Sequence, residues 1–561
     1  MFSIWVKKMK KFLSSYWMLL LVLILGLTIS WPIFQPGYFS HHDDLQVMRI
    51  FEMRKCLEDF QIPCRWVPDL GFGNGYPLFN YYNVLPYYIG GLASFVLGFI
   101  ASAKLLFLIS VILAPLSMYF LTKELFGKYP ALVAATLYAF APYRALDIYV
   151  RGAVSESFAI AIIPLVFYFG LKVIKESNLK NNIFLSLSFG AFLTSHNIMT
   201  LLFLPLIIIF FAIILWKESK NKIRQVISFL ALGVSLAAFF IFPAFMEKGL
   251  VQVDNLTKLE LDFRAHFVTV SQLFFDRSWG YGASFSGNGD TISFQLGLPH
   301  WPLVVISAPL LLFLFKKSKR LFALCCAALI FFLLSIFMTH NKSAFVWEEI
   351  GILRFTQFPW RFLSVSIFTA SFLGGGIIFL LKSTIQKIFA GILVVVIVFV
   401  NWNYFRPNEF YQNLTDKEKL SGILWQTQQR ASILDYLPNT AVEPREGAPI
   451  GPIILSGQTE IKNFSNRSNK WKFNANVESP SEIEMPVFDF PNWQVFVNGK
   501  KVEHTNKNHL GRISFKLDKG EYSVTGKFAD TWVRTISNTI SLFSILIIAY
   551  LLYYEKYRKN N

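Results

Sequence analysis

The feature that most constrains the fold of this chain is a series of long apolar runs. Each is close to the 17 to 25 residues that a helix needs to cross a bilayer. Hydrophobic residues make up 54% of the chain and charged residues only 16%, which excludes the polar surface of a soluble globule. We therefore expect a polytopic membrane protein with long apolar runs at 17–35, 103–122, 154–175, 198–216, 224–246, 300–316, 320–338, 362–381, 387–403 and 535–553, and shorter ones at 85–101, 129–142 and 182–196.

Basic residues between these runs predict the orientation, because loops rich in Lys and Arg stay on the cytoplasmic side. Lys7, Lys8, Lys10 and Lys11 precede an apolar stretch that is too long for a signal peptide, so we expect a retained first helix and a cytoplasmic N-terminus. If the Gly- and Pro-interrupted run 85–101 only dips into the outer leaflet, the other basic loops also become cytoplasmic. This topology has about twelve crossings and a cytoplasmic C-terminus.

The net charge supports the same topology. Seven segments assigned to the cytoplasmic side hold 22 Lys or Arg and 4 Glu, a net of +18 that equals the formal charge of the whole chain. The rest of the chain, including its large outer regions, therefore sums to zero, and a basic face for a nucleic-acid partner is excluded. The seven segments are 7–11, 123–128, 172–180, 217–224, 316–320, 382–387 and 555–559.

The composition becomes polar after the ninth long run, which divides the chain into three parts. We expect a transmembrane domain at 1–403 with outer loops 37–84 and 247–299, a β-rich extracytoplasmic domain at 404–533, and a last helix with a cytoplasmic tail at 534–561. The fold class is thus an all-α polytopic membrane protein with a C-terminal β-sandwich. Alternating or β-rich patterns predict its strands at 471–477, 481–488, 493–497, 512–517 and 522–528.

Two adjacent carboxylates, Asp43 and Asp44, follow the first apolar segment. One interpretation is an ordinary start of an amphipathic helix at about 43–60, with Ser40 as its cap and the acidic residues favoured by the helix dipole. The other interpretation is a catalytic carboxylate at the outer mouth of a membrane helix. The local pattern is typical of both.

A second charged cluster lies in the outer turn between the runs 129–142 and 154–175. It contains Arg144, Asp147, Arg151 and Glu156, where a plain connector needs no charge. Charges at membrane depth are costly and are therefore paired or functional. Structural Arg–Asp and Arg–Glu pairs that hold the helix ends are the alternative to a substrate site.

Four more polar or aromatic residues mark outer helix ends. His196 is either a site residue or a hydrogen-bonded spacer. Gln357 and Arg361 could hold an anionic group or anchor the chain at the lipid headgroups. Tyr81 belongs to an aromatic run that suits a membrane interface. Cys56 and Cys64 lie in the same outer region, where a disulfide can form.

Together these stretches resemble the GT-C superfamily of integral-membrane glycosyltransferases. More narrowly, the chain resembles bacterial YfhO-like and 6-pyruvoyl-tetrahydropterin-synthase-related membrane proteins. The pterin label implies no pterin chemistry, because the sequence has no zinc-binding histidine set. The matching stretches span nearly the whole chain: 42–44, 73–77 with 81–82, 142–144 through Arg151 and Glu156, 196–197, 357–361, and 490–493 with 498–500.

The resemblance implies an inverting transfer of a sugar from a polyprenyl-phosphate donor in the cytoplasmic membrane. Asp43 would be the general base, and Asp44 would orient the acceptor or help to hold a divalent cation. No Asp-x-Asp cluster lies on an inner loop, which favours a lipid-linked over a nucleotide-linked donor. The acceptor would be a glycan, a lipid or a protein. A divalent cation held by Asp43 and Glu156 stays an open alternative, which the spacing of these residues does not support.

The resemblance also implies a substrate site built from the outer turns. Arginine guanidinium groups suit the donor phosphate, and carboxylates, an amide, an imidazole and a phenol would complete the site. The expected substrate-binding residues are Arg144, Asp147, Arg151, Glu156, His196, Gln357, Arg361 and Tyr81.

Two other classes of function stay open at the level of sequence. A transporter or flippase of lipid-linked saccharides would share a basic outer cavity, but it would show inverted repeats and broken helices facing each other, and no clear internal repeat is present. A non-catalytic assembly factor for cell-surface glycans is the third interpretation.

Overall fold

The computed structural model describes residues 2–287 and 290–560, with side chains for residues 16–287 and 290–557. The side chains of Lys7, Lys8, Lys10 and Lys11, on which the predicted orientation partly depends, lie outside this description. Most of the described chain is helical. The helices of the bundle are Phe2–Ile29, Phe99–Phe126, Lys128–Ala139, Val154–Glu176, Leu179–Ser195, Asn197–Leu215, Lys220–Leu236, Ala238–Met246, His300–Lys317, Lys319–Thr339, Leu363–Leu380, Ser383–Asn401 and Trp532–Asn560.

Many of these helices have the length and composition of membrane spans. Within the described ranges, eight are long and apolar enough to cross a bilayer, and the bent pair Lys220–Leu236 and Ala238–Met246 would be a ninth. The chain is therefore a membrane protein with several apolar helices and a C-terminal sheet domain. The predicted number of about twelve crossings stays a prediction.

Four basic segments meet at one end of the bundle, which we call the lysine-rich end: 123–128, 172–180, 217–224 and 316–320. Lys175 Nζ lies 2.7 Å from a carboxylate oxygen of Glu124, and Arg320 lies 2.9 Å from Glu218. Gln225 donates to Asn182 at 3.1 Å, which joins the two pairs of segments. The opposite end, which carries the outer loops, is the cavity end.

The short helix Leu85–Leu97 starts and ends at the cavity end. Its preceding residue Val84 donates to the Thr194 carbonyl at 3.2 Å. Its last residue is followed by Gly98, whose positive φ of 81° turns the chain directly into the helix Phe99–Phe126. Thirteen residues rise only about 20 Å, less than the roughly 30 Å of a bilayer core. This geometry fits a segment that dips into one leaflet.

The first outer helix differs from its prediction. It runs from Gln46 to Glu58, with no acidic residue in its first turn and no side-chain cap. Ser40 Oγ instead accepts a hydrogen bond from the backbone N–H of Glu409 at 3.0 Å, next to the strand pair Tyr38–Phe39 and Phe410–Tyr411. The interpretation of Ser40 as a helix cap and of Asp43 and Asp44 as first-turn residues is therefore wrong.

The domain predicted at 404–533, which we call the outer domain, contains one six-stranded antiparallel sheet. Three predicted strands match observed ones, and two are halves of the single strand Lys470–Phe488. Two strands were not predicted: Ile453–Asn466, which is largely exposed on both faces, and Lys500–Val502, which has only three residues. Lys470–Phe488 pairs along its length with Ile453–Asn466, and on its other edge with two different strands. The six strands are Ile453–Asn466, Lys470–Phe488, Trp493–Val497, Lys500–Val502, Arg512–Leu517 and Gly520–Phe528.

The sheet folds back on itself. A straight strand from Trp471 to Ile483 would span about 40 Å. Phe515 pairs with Ile483 in the sheet, yet its ring stacks on Trp471 with centroids 6.2 Å apart. The long strand therefore bends, and its two halves enclose the aromatic core of the domain.

This domain docks on the first outer loop. Trp66 packs against Trp493 and Phe528 with ring centroids 5.5 Å from each. A disulfide between Cys56 and Cys64, with Cα atoms 5.5 Å apart, closes the turn that directly precedes Trp66. The docked domain brings residues 432–436 over the cavity end of the bundle.

Candidate functional site

A cavity of about 860 Å³ lies at the cavity end, between the membrane helices and the outer domain. Its wall combines outer turns that are far apart in the sequence, since helices that return to the same end bring their termini together. Of the residues predicted from sequence, the wall contains Asp43, Tyr81, Arg151, Glu156, His196, Gln357 and Arg361.

Asp43 is held by its backbone and by one of its two carboxylate oxygens. Its N–H donates to the carbonyl of Arg151 at 2.9 Å. Its Oδ2 accepts from Arg49 at 2.7 Å and from Gln46 at 3.0 Å. No donor in the described part of the chain is bonded to Oδ1, and the side chain is 31% exposed. One oxygen is thus fixed by two donors, and the other accepts no hydrogen bond from the described residues.

Arg49, the partner of Asp43, is itself almost fully buried, with 4% of its side chain exposed. Its guanidinium group lies over the ring of Tyr82, 4.3 Å from the centroid. Gln46, the second partner, accepts from the hydroxyl of Tyr87 at 2.7 Å. These contacts orient both donors, so the position of the Asp43 carboxylate depends on the aromatic run beside it.

Arg151 is placed by two buried carboxylates. One of its terminal nitrogens lies 2.7 Å from Asp147 and 2.8 Å from Glu156. Its guanidinium group also stacks over Trp360, 4.5 Å from the ring centroid. The other terminal nitrogen is bonded to no acceptor among the described residues and remains available to an anion.

Arg361 approaches the same carboxylate from the next wall. Its NH1 donates to the Thr356 carbonyl at 2.7 Å and to the Gln357 side chain at 2.9 Å, and its Nε lies 3.5 Å from Glu156. Within the described ranges its NH2 has no hydrogen-bond partner. Two arginines therefore share Glu156 and each keeps one terminal nitrogen free, an arrangement that suits a phosphate.

Glu156 does not fit a metal-binding role. Its Oε1 accepts from the Tyr143 hydroxyl at 2.5 Å, and its Oε2 is occupied by Arg151 and Arg361. Both oxygens are thus already used, so a cation shared between Asp43 and Glu156 has no free ligand on one side. In the described part of the chain, no three His, Cys, Asp or Glu residues form a group that could hold a metal ion.

Arg144 and Asp147 lie behind the cavity wall. Arg144 is fully buried and donates to the backbone carbonyl of Ser110 at 3.0 Å. Asp147 accepts from the Ser157 hydroxyl at 2.7 Å as well as from Arg151. Burial raises the pKa of Asp147 to about 7, and the nearby Glu156 carboxylate adds to the shift. Both residues support the wall and neither reaches the cavity.

Asp44 also lies outside the cavity. Its carboxylate pairs with Lys419, which is 3% exposed and belongs to residues 402–452 between the bundle and the sheet, which we call the outer segment, while Asp44 itself is 48% exposed. This ion pair makes Asp44 part of the contact between the first outer loop and the outer segment. Of the acidic pair, only Asp43 faces the space where a substrate would sit.

His196 and Tyr81 line the cavity and make fixed hydrogen bonds. His196 separates two helices, and its Nδ1 accepts from the backbone of Met199 at 3.2 Å. Burial lowers the pKa of His196 to about 3, so the ring is neutral and its proton lies on Nε2. Tyr81 donates to the Glu247 carbonyl at 2.8 Å.

Several cavity residues were not predicted from the sequence. Arg49 and Tyr82 lie close to predicted positions, and the amphipathic helix and the aromatic run were signals that could have identified them. Asp435 and Tyr436 are supplied by the outer domain, and no local pattern marks them. Burial raises the pKa of Asp435 to about 6, with Arg49 opposing and Asp43 adding to the shift.

Comparisons with known proteins place this chain among membrane proteins. Residues 79–408 match the model of a family described as 6-pyruvoyl-tetrahydropterin synthase related domain, membrane protein. An uncharacterized protein of Lactococcus lactis subsp. cremoris (strain MG1363) is 23% identical over 278 residues, which are 46% of this chain and 44% of that protein. The chain thus spans less than half of the length of this relative.

Two solved structures of an oligosaccharyltransferase from Archaeoglobus fulgidus show a distant likeness. One is in complex with an inhibitory peptide and a dolichol-phosphate, with a TM-score of 0.40, 14% identity, and coverage of 70% of this chain and 56% of that one. The other is tethered to an acceptor peptide, with a TM-score of 0.41, 15% identity, and coverage of 76% and 64%. The chain spans less than two thirds of either protein.

Proposed function

The chain belongs to the family of 6-pyruvoyl-tetrahydropterin-synthase-related membrane proteins, and we propose that it is a membrane glycosyltransferase. The donor would be a sugar linked to a polyprenyl phosphate, and the acceptor would lie outside the cytoplasm. One observation carries the proposal. Asp43, Arg151 and Arg361 line the same cavity, and within the described residues each keeps one side-chain oxygen or terminal nitrogen without a hydrogen-bond partner.

The size and position of the cavity support this reaction. Its volume of about 860 Å³ falls within the roughly 300 to 1,000 Å³ typical of small-molecule sites. The cavity lies where the membrane helices end, so a lipid-linked donor could present its phosphate while its chain stays in the bilayer. The resemblance of the outer turns to GT-C enzymes favours the same class of donor.

In the proposed reaction, Asp43 Oδ1 takes the proton from an acceptor hydroxyl. The hydroxyl oxygen forms a bond to the anomeric carbon while the bond from that carbon to the phosphate oxygen breaks, on the opposite face of the sugar. The leaving polyprenyl phosphate gains negative charge, which Arg151 and Arg361 stabilise. Arg49 and Gln46 keep the carboxylate in place, and the product has inverted configuration.

Fewer residues take part directly in the proposed reaction than the sequence suggested. Glu156 and Asp147 hold the two arginines, Gln357 holds Arg361, and His196 and Tyr81 shape the wall. Arg144 and Asp44 have structural roles, through the Ser110 carbonyl and Lys419 respectively. The proposal includes about twelve crossings, cytoplasmic termini and a site on the extracytoplasmic face of the cytoplasmic membrane.

The test is an Asp43→Asn variant assayed with radiolabelled polyprenyl-phosphate sugars and membranes that contain the natural acceptor. Loss of a general base typically lowers the rate about 10²- to 10⁴-fold, so we expect a loss of that size. The matched control is Glu58→Gln on the neighbouring helix, which pairs with Arg54 at the surface. Undiminished transfer by the Asp43→Asn variant would refute the base assignment, and a wild-type protein that forms no covalent product would refute the enzyme.

A further inference from the structure

Three residues, Asp435, Tyr436 and Tyr82, line the part of the cavity next to Asp43. We infer that this part, which we call the outer-domain subsite, binds the acceptor, and that the acceptor is an uncharged, hydroxyl-rich sugar. The inference deepens the proposed function and rests on it. It names the substrate class that the outer domain selects.

The outer domain holds the subsite in a defined place. Asp435 ends a short 3₁₀ turn, Ile433–Asp435, and the chain then pairs with the outer loop of the bundle. Gln252 donates from its backbone to the Leu437 carbonyl at 2.9 Å, and Val251 forms an isolated bridge with Pro438. These contacts fix the segment against the bundle, so Asp435 is a built part of the wall.

The charges of the subsite disfavour an anionic acceptor. Asp43 and Asp435 are two carboxylates, and Arg49 is the cation that offsets both. Asp43 and Asp435 therefore share Arg49, whose NH1 already donates to Asp43, whereas Arg151 and Arg361 keep free guanidinium nitrogens. An anionic phosphate is favoured on the arginine side, and a neutral donor of hydrogen bonds is favoured on the carboxylate side.

Sugar hydroxyls match the groups that the subsite offers. A carboxylate has two acceptor oxygens and can bind two neighbouring hydroxyls at once. Tyr436 stacks on Tyr81 at 5.6 Å and meets Tyr82 edge to face at 6.4 Å, which forms an aromatic corner beside Asp435. Aromatic faces pack against the C–H faces of sugar rings and leave the hydroxyls free for Asp435.

The experiment separates acceptor binding from donor chemistry. Full-length protein in native membranes is given a radiolabelled polyprenyl-phosphate sugar, and two products are measured: labelled acceptor, and free sugar released when water replaces the acceptor. We expect Asp435→Asn to raise the KM for acceptor about tenfold or more, the loss typical of a hydrogen bond to a charged group. Release of free sugar should fall less than the labelling of acceptor, because Asp435 is not the base.

The pH dependence of the KM for acceptor would not change if Asp435 had a purely structural role. The groups facing Asp435 are Arg49, Asp43, Tyr76 and Tyr436. The pKa of Asp435 is raised to about 6, and its charged form is the better acceptor of hydroxyl hydrogens. The KM for acceptor of the wild type should therefore rise as pH falls below about 6, while that of Asp435→Asn should not follow this step.

The control is Glu443→Gln, which lies in the same outer domain, pairs with Arg430 at 3.7 Å, and is not part of the cavity wall. A KM for acceptor that is unchanged in the Asp435→Asn variant would overturn the inference. An equal loss of labelled acceptor and of free sugar would also overturn it. The same holds for a labelled acceptor that is anionic, amine-linked or a protein. A wild-type protein that releases no free sugar and labels no acceptor would instead refute the proposed function itself.

Discussion

At the scale of single residues, Asp43 and Asp44 show how neighbours in sequence acquire different environments. Asp43 lines the cavity, with one oxygen bound by Arg49 and Gln46 and the other without a donor among the described residues. Asp44 points to the outer segment and pairs with Lys419. A carboxylate that is oriented but not fully bonded can still accept a proton, so the two acidic residues are not interchangeable.

Arg361 provides a residue-level prediction for the donor phosphate. Replacing Arg361 by Gln removes a charged donor, and hydrogen bonds to charged groups are worth about 1.5 to 3 kcal/mol. We expect kcat/KM for the polyprenyl-phosphate donor to fall about 10- to 100-fold, measured from initial rates over a range of donor concentrations. Arg354→Gln is the control, since Arg354 is exposed and donates to the Glu348 carbonyl. An equal loss in both variants would contradict a specific role for Arg361.

At the scale of elements, the outer domain and the bundle depend on each other. The helix Phe99–Phe126 has no side-chain cap of its own. The Asp416 carboxylate of the outer segment accepts from the N–H groups of Phe99 and Ile100 at 2.7 and 2.8 Å. An acidic side chain at a helix N-terminus satisfies unpaired donors and favours the helix dipole.

The helix end gives a stability prediction. Asp416→Ala should cost about 0.5 to 2 kcal/mol, the usual cost of losing a capping side chain. The change would appear as a lower thermal unfolding temperature of the purified protein in detergent. Asp416→Asn keeps an oxygen acceptor and should lose less. If Asp416→Ala unfolds at the wild-type temperature, the contact contributes nothing to stability.

At the scale of the whole molecule, the two ends of the bundle differ in charge. Basic segments that are distant in the sequence meet at the lysine-rich end through ion pairs such as Lys175 with Glu124. The cavity and the outer domain lie at the other end. Because basic loops are retained in the cytoplasm, this separation predicts which end faces outward.

Cysteine labelling of intact cells tests the orientation. Lys180 and Lys258 are both exposed and lie at the lysine-rich end and in the outer loop, respectively. We expect a membrane-impermeant thiol reagent to label Lys258→Cys in intact cells and Lys180→Cys only after the membrane is opened. The wild-type protein sets the background from Cys325 and Cys326. The reverse pattern would invert the topology.

Much of the fold could be predicted because it follows from patterns along the chain. Apolar runs of membrane length predicted the helical bundle, and alternation predicted five strand segments of the outer domain. Polar and charged residues at the outer helix ends pointed to Arg151, Glu156, His196, Gln357 and Arg361, since helices that return to one face bring their ends together. The placement of Arg144 behind the cavity wall could not be predicted, because the direction in which a side chain at a helix end points depends on packing against neighbouring helices.

The sequence by itself determined that the chain is a membrane protein with a polar, strand-rich domain after the bundle and an acidic residue beside its first helix, because hydropathy and charge act locally. Only the tertiary structure decided which carboxylate faces the cavity and that Asp435 and Tyr436 join it. These residues lie almost four hundred positions from Asp43. They meet because Trp66 and the sheet bury their aromatic surfaces together, and no local pattern records a contact that forms through the docking of two domains.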